Sequence, residues 1–140
     1  MTPRTRLDKV VQVRERAEDD ALAGLARAQA AVGRARDRLA LAVEATRQDD
    51  RCAGPVELWH LDEQSHRRSL QAMRSAEKDV QRAAQGETSA RGGYVAARQD
   101  KEIVVRVQER RRAEIVVEIE KRERRDADEI ATLRFNAGGE

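Results

Sequence analysis

Gln48-Asp-Asp-Arg-Cys-Ala-Gly-Pro-Val-Glu-Leu-Trp59 decides how this chain folds. Gly54-Pro55 is the strongest chain-breaking signal between the termini. Glycine frees the backbone to reverse, and proline cannot continue a helix from upstream. Proline can sit in the first turn of a new helix, where its missing N–H costs nothing. Each side of the break reads as a long charged helix, so the chain is expected to be a helical hairpin folded here.

Upstream, Thr5 is a candidate N-cap, with Asp8 three residues on as an imperfect capping box. Apolar residues then recur by fours and threes: Leu7, Val11, Ala21, Leu25, Ala28, Val32, Ala35, Leu39 and Ala42. This is a heptad seam, interrupted by Arg14 and Glu18. Bulky Leu25, Val32 and Leu39 alternate with alanines that let a second backbone come close. Gly24 and Gly33 either mark such close approach or are tolerated surface glycines.

Downstream, Leu58, Trp59, Leu61, His66, Leu70, Met73, Ala76 and Val80 continue at helical spacing. Gly86, Gly92 and Gly93 make a second, weaker break at 85–93. It lacks proline and reads as a kink in a continuous helix; a loop there would give three helices instead. From Tyr94 the pattern resumes through Ala97, Val104, Val107, Ile115, Ile119 and Ile130. Ile103-Val-Val-Arg-Val107 and Ile115-Val-Val-Glu-Ile119 are β-branched, a strand signal. The charged Gln108–Glu114 between them has no turn residue, and Glu118–Arg122 and Glu120–Arg124 have helical i,i+4 spacing, so helix is preferred.

The expected fold is therefore all-α: an antiparallel two-helix coiled-coil hairpin with the second helix the longer. The helices are placed at about 5–48 and 56–134, the turn at 49–55 and a frayed tail at 136–140. At 1.5 Å per residue the arms are roughly 65 and 115 Å long. A fold centred on the hinge sets Val10 near Tyr94 and leaves residues beyond about Lys101 without an opposite helix.

Composition narrows the function. Of 140 residues, 39% are charged and only 2% aromatic, too few large side chains for a thick core. The net charge is +2, with 28 basic and 26 acidic residues interleaved, so no dense basic face with aromatics points to nucleic acid. No apolar run approaches the ~20 residues of a membrane span, and the N-terminus lacks a signal-peptide core. Cys52 is the single cysteine, so no internal disulfide forms and a reducing, cytoplasmic setting is expected.

Candidate chemistry is sparse. Glu63-x-x-His66 is half of a di-iron motif, but a second half is missing, and His60 and His66 fall on different helix faces. Surface histidines are the expectation, with no metal and no cofactor. Cys52 lacks the basic or His neighbours of a nucleophile, and Arg91-Gly-Gly-Tyr94 is not a phosphate loop. An enzyme is not expected. Trp59 is either a partner anchor or a staple holding the turn closed.

The opening Arg6-Leu-Asp-Lys-Val-Val-Gln-Val-Arg-Glu-Arg-Ala-Glu18 and the ending Asp128-Glu-Ile-Ala-Thr-Leu-Arg-Phe135 resemble those of the FliJ family, the stalk proteins of the flagellar type III export apparatus. A break near one third of the chain, followed by a Trp-containing segment, matches too. The YscO-like injectisome stalk family is similar. The resemblance implies a non-enzymatic stalk, mostly monomeric alone, in the cytoplasm and peripheral to the inner membrane. It implies insertion of the end carrying both termini into the hexameric export ATPase, contact of the hinge half with the cytoplasmic domain of the export gate, and binding of export chaperones. Trp59, Leu70 and Met73 then fall to the gate. Val104, Val107, Arg111, Ile115, Val116, Ile119 and Arg122 fall to the ATPase ring. A self-associating coiled-coil scaffold is the alternative.

A helix apolar on several sides supports the ring assignment. At 100° per residue, Val107 lies about 40° from Ile103, Val104 about 100°, Ile119 about 160° and Val117 about 320°. A two-helix partner covers a stripe only ~100° wide.

Overall fold

The computed structural model describes residues 3–47 and 54–138. Helix α1 runs Leu7–Arg47 and helix α2 runs Trp59–Ala137, with a single 3₁₀ turn, Val56–Leu58, ahead of α2. No strand occurs among the described residues. The fold is the expected all-α hairpin, with α2 (79 residues) the longer arm and α1 (41 residues) the shorter. Most of the hinge, including Cys52, lies outside the described residues. Pro55 stands in extended backbone (φ −64°, ψ 150°) immediately before the 3₁₀ turn, and its carbonyl accepts the Leu58 N–H at 2.9 Å.

At its start, α1 is closed by a local box. The Asp8 carboxylate accepts the Thr5 N–H at 3.2 Å and the Thr5 hydroxyl at 2.8 Å, satisfying a donor that the helix leaves open. At the C-terminal end of α2, Gly138 N–H bonds the Arg134 carbonyl at 3.0 Å and closes the helix. Both β-branched segments are helical, and α2 is unbroken through residues 85–93. Without a turn residue in Gln108–Glu114 there is nowhere for strands to reverse.

Contacts divide the chain into two compact units, residues 1–18 with 97–140, and residues 19–96. Each contains part of both helices.

In the 19–96 unit the α1 seam is apolar. Leu25, Val32 and Ala35 are buried, and Ala21, Ala28, Leu39 and Ala42 half-buried. On α2, Ala76 is buried and His66, Ser69, Met73, Val80, Ala83, Glu87, Ala90 and Tyr94 are half-buried, alternating by threes and fours. This is the 3.5-residue repeat of a coiled-coil seam. His66 belongs to that row, so it is not the fully solvated histidine expected; His60 is exposed. Neither Gly24 nor Gly33 has any atom within 4 Å of where a Cβ would stand, so they do not mark close approach.

In the 1–18/97–140 unit the seam turns polar. Val11 is buried and Leu7 half-buried on α1. Facing them on α2 are half-buried Lys101, Val104, Val105, Arg112 and Ile115, with Gln108 buried. The register differs from the hinge-centred expectation. Asp8 bonds Gln108, where a fold setting Val10 near Tyr94 would have put it beside Ala96, twelve residues earlier (108 − 96). Residues 4–7 line a groove with Arg111 and Ile115, so α2 has an opposite segment well past Lys101. The physical reason is the length of the connection: residues 48–58 separate α1 from α2. A connection that long does not fix the register, and the polar side chains of the seam do.

Candidate interaction surfaces

Three polar contacts tie α1 to α2 in the 1–18/97–140 unit. Lys101 Nζ lies 2.5 Å from Glu18 Oε2, at seam positions on both helices. Arg14 donates to Asp100 at 3.3 Å on the flank. Asp8 is the hub of the third, accepting Gln108 Nε2 at 2.6 Å and Arg112 Nη2 at 3.2 Å in addition to Thr5. Four donors on one carboxylate favour its charged form. The Thr5 hydroxyl, then the Gln108 amide, hold Asp8 down at about 2, against an opposing effect of burial. The hydrogen bond from Lys101 to Glu18 likewise raises the lysine. The Nε of Arg112 is buried with no hydrogen-bond partner among the described residues. Glu18, Lys101, Gln108 and Arg112 went unrecognised as partners in the sequence. The available signal was the interruption of the α1 seam at Glu18 together with Lys101 and Gln108 at heptad positions of α2.

These contacts decide which of the ring candidates remain accessible. Val104 and Ile115 are half-buried in the row that faces α1 and the N-terminal segment. Val107, Arg111, Val116, Ile119 and Arg122 are exposed. Arg111 is paired to Glu114 at 2.8 Å. The α1 side begins only at residues 4–7, beside Ile115, and from Val116 onward every described residue of α2 is exposed.

That bare stretch still carries apolar side chains: Val116, Val117, Ile119, Ile130, Leu133 and Phe135, each at least 42% exposed. Relative to Val116, Ile119 lies at about 300°, Ile130 about 320° and Leu133 about 260°, a stripe that continues the seam. Val117 and Phe135 both lie at about 100°, off that stripe. Lys121, Arg122 and Arg125 have no ion-pair partner among the described residues. The segment is thus a single helix with apolar surface on two sides and free cations between.

A second exposed apolar group opens α2. Val56, Leu58, Trp59 and Leu61 are all exposed, Trp59 by 57%. Leu70 and Met73, the other gate candidates, are half-buried on the seam side. Among the described residues no three His, Cys, Asp or Glu side chains cluster as a metal site, and no helix is long and apolar enough to cross a membrane.

A two-helix hairpin whose α2 is exposed from Val116 onward and at its Trp-bearing start defines a coiled-coil protein with uncovered apolar helix faces. The chain belongs to the flagellar FliJ protein family, whose profile matches residues 3–140. That family comprises structural proteins of the flagellar export apparatus rather than enzymes. Comparison with curated proteins and with solved structures returned no match.

Proposed function

We propose that this chain is the central stalk of the flagellar export ATPase, and that the exposed end of α2 is the part the hexameric ring encloses. The observation that supports this most is the bare segment Val116–Ala137. Apolar side chains left in water on two sides of one helix favour a partner that surrounds it. A ring wall meets both sides; a flat partner meets one. Acidic loops of the ring would pair with Lys121, Arg122 and Arg125, which have no ion-pair partner among the described residues.

The mechanism is mechanical. The helix templates ring closure, so ATP turnover rises with assembly, and no residue of this chain joins the chemistry. Val107, Val116, Ile119 and Arg122 carry the ring contact. Val104 and Ile115 hold the hairpin, and Arg111 shares its charge with Glu114. At the other end Trp59, beside exposed Leu58 and Leu61, is the anchor for the cytoplasmic domain of the export gate, with Leu70 and Met73 supporting from the seam side. Export chaperones bind the same assembly, which sits in the cytoplasm against the inner membrane.

The test is Val116→Asp in an assay of the partner ATPase across enzyme concentration. Stimulation should be lost while the isolated protein keeps its helicity, because Val116 is exposed. Val104→Asp should instead weaken the hairpin itself. Undiminished stimulation by Val116→Asp would refute the ring reading. A wild-type dimer that this variant converts to monomer, with no hexamer bound, would establish the scaffold alternative.

A further inference from the structure

Five glycines lie inside the two helices, and all five fall in one stretch: Gly24 and Gly33 of α1, and Gly86, Gly92 and Gly93 of α2. None is needed for packing, since a Cβ on any of them would meet no atom within 4 Å. None has a positive φ, so no left-handed backbone demands glycine. What remains is the effect of glycine on a regular helix, which is to lower its local stability and free its dihedrals.

Their levels match across the hairpin. Glu18 stands beside Lys101. Fifteen residues up α1 from Glu18 is Gly33, and fifteen back along α2 from Lys101 is Gly86. Arg14 stands beside Asp100. Ten residues up from Arg14 is Gly24, and ten back from Asp100 is Ala90; six residues from the Glu18–Lys101 pair gives Gly24 and Val95. Gly92 and Gly93 lie inside that bracket. Weak points in one helix alone would be braced by the other, but here both helices weaken together.

The seam through this stretch is not weakened. Leu25, Val32 and Ala35 are among the most buried residues described, at 9%, 5% and 2% exposure. Small Ala28, Ala83 and Ala90 share the seam rows. Soft backbones and a closed seam are the ingredients of a bend that does not open.

We infer that residues 24–33 of α1 and 86–93 of α2 form a paired hinge, at which the hairpin flexes with its seam intact. The inference does not rest on the stalk reading, because its test needs no partner.

The experiment compares wild type with G24A/G33A/G86A/G92A/G93A by thermal melting and by site-resolved hydrogen exchange, corrected for intrinsic rates. In wild type, amides of 22–34 and 85–95 should show roughly tenfold lower protection than helical turns a heptad away on either side. In the alanine variant that dip should vanish and the melting temperature should rise by about 10 °C or more. Uniform wild-type protection along both helices would overturn the hinge whatever the melt shows. A variant that melts lower than wild type would also overturn it, since its methyls would then not stand in open space.

Discussion

Leu25 and Leu41 share one helix and one chemistry but differ in exposure, 9% against 71%. Replacing each by alanine therefore tests the seam with helix propensity held constant. The change removes three carbons, worth ~0.8 kcal/mol each when buried. Leu25→Ala should lose nine tenths of that, ~2 kcal/mol. A large added cavity cost is not expected, because a two-helix seam is flanked by solvent, and the value belongs at the low end of the range for core leucines. Leu41→Ala should lose about three tenths, ~0.7 kcal/mol, and the ~0.2 kcal/mol returned by the better helix propensity of alanine applies to both variants and cancels. The gap of ~1.5 kcal/mol is roughly tenfold in the folding equilibrium. Urea denaturation followed by circular dichroism at 222 nm measures it directly. Equal losses for the two variants, or a larger loss for Leu41→Ala, would refute the seam assignment.

Other expectations follow from the polar contacts and the opening of α2. The folded pKa of Asp8, about 2, lies below its ordinary 3.8. Its stabilisation is thus present above pH ~4 and is lost as pH falls toward 2. Asp8→Asn should lose less melting temperature than wild type between pH 4.5 and 2.5; an identical loss would show that the Asp8 hub does not contribute. In a Cys52→Ser background, Glu18→Cys with Lys101→Cys should cross-link readily, while Val10→Cys with Tyr94→Cys should not; the reverse result would restore the hinge-centred register. Trp59→Ala should weaken binding to the cytoplasmic domain of the export gate, measured by calorimetry, with ATPase stimulation retained. Loss of both together with a lower melting temperature would make Trp59 a turn staple instead.

Some of this architecture was legible in the sequence because it is local. The α1 seam from Ala21 to Ala42 follows from a 3.5-residue repeat, and every residue named from that repeat is buried or half-buried. The helical state of 103–119 was legible too, since a charged linker without turn residues outweighs β-branching. The register was not legible. It rests on Asp8 meeting Gln108 and Glu18 meeting Lys101, pairs separated by 100 and 83 residues (101 − 18). Periodicity says which face is buried but not which heptad meets which. Centring the fold on a turn at 49–55 presumed a fixed register, whereas residues 48–58 separate the two helices. That error set the start of the bare segment near Lys101 instead of Val116, and so counted Val104 and Ile115 as free surface. The exposed positions Val116, Ile119 and Arg122 were legible because they sit too close to the C-terminus for either register to cover them.

Site-specific photocross-linking to the partner ATPase tests the stalk account most directly, with the probe at Ile119 in the bare segment and, as control, at exposed Arg82. The account predicts that the probe at Ile119 cross-links to the hexamer in the presence of nucleotide and the probe at Arg82 does not. Cross-links from Arg82 but none from Ile119 would contradict it.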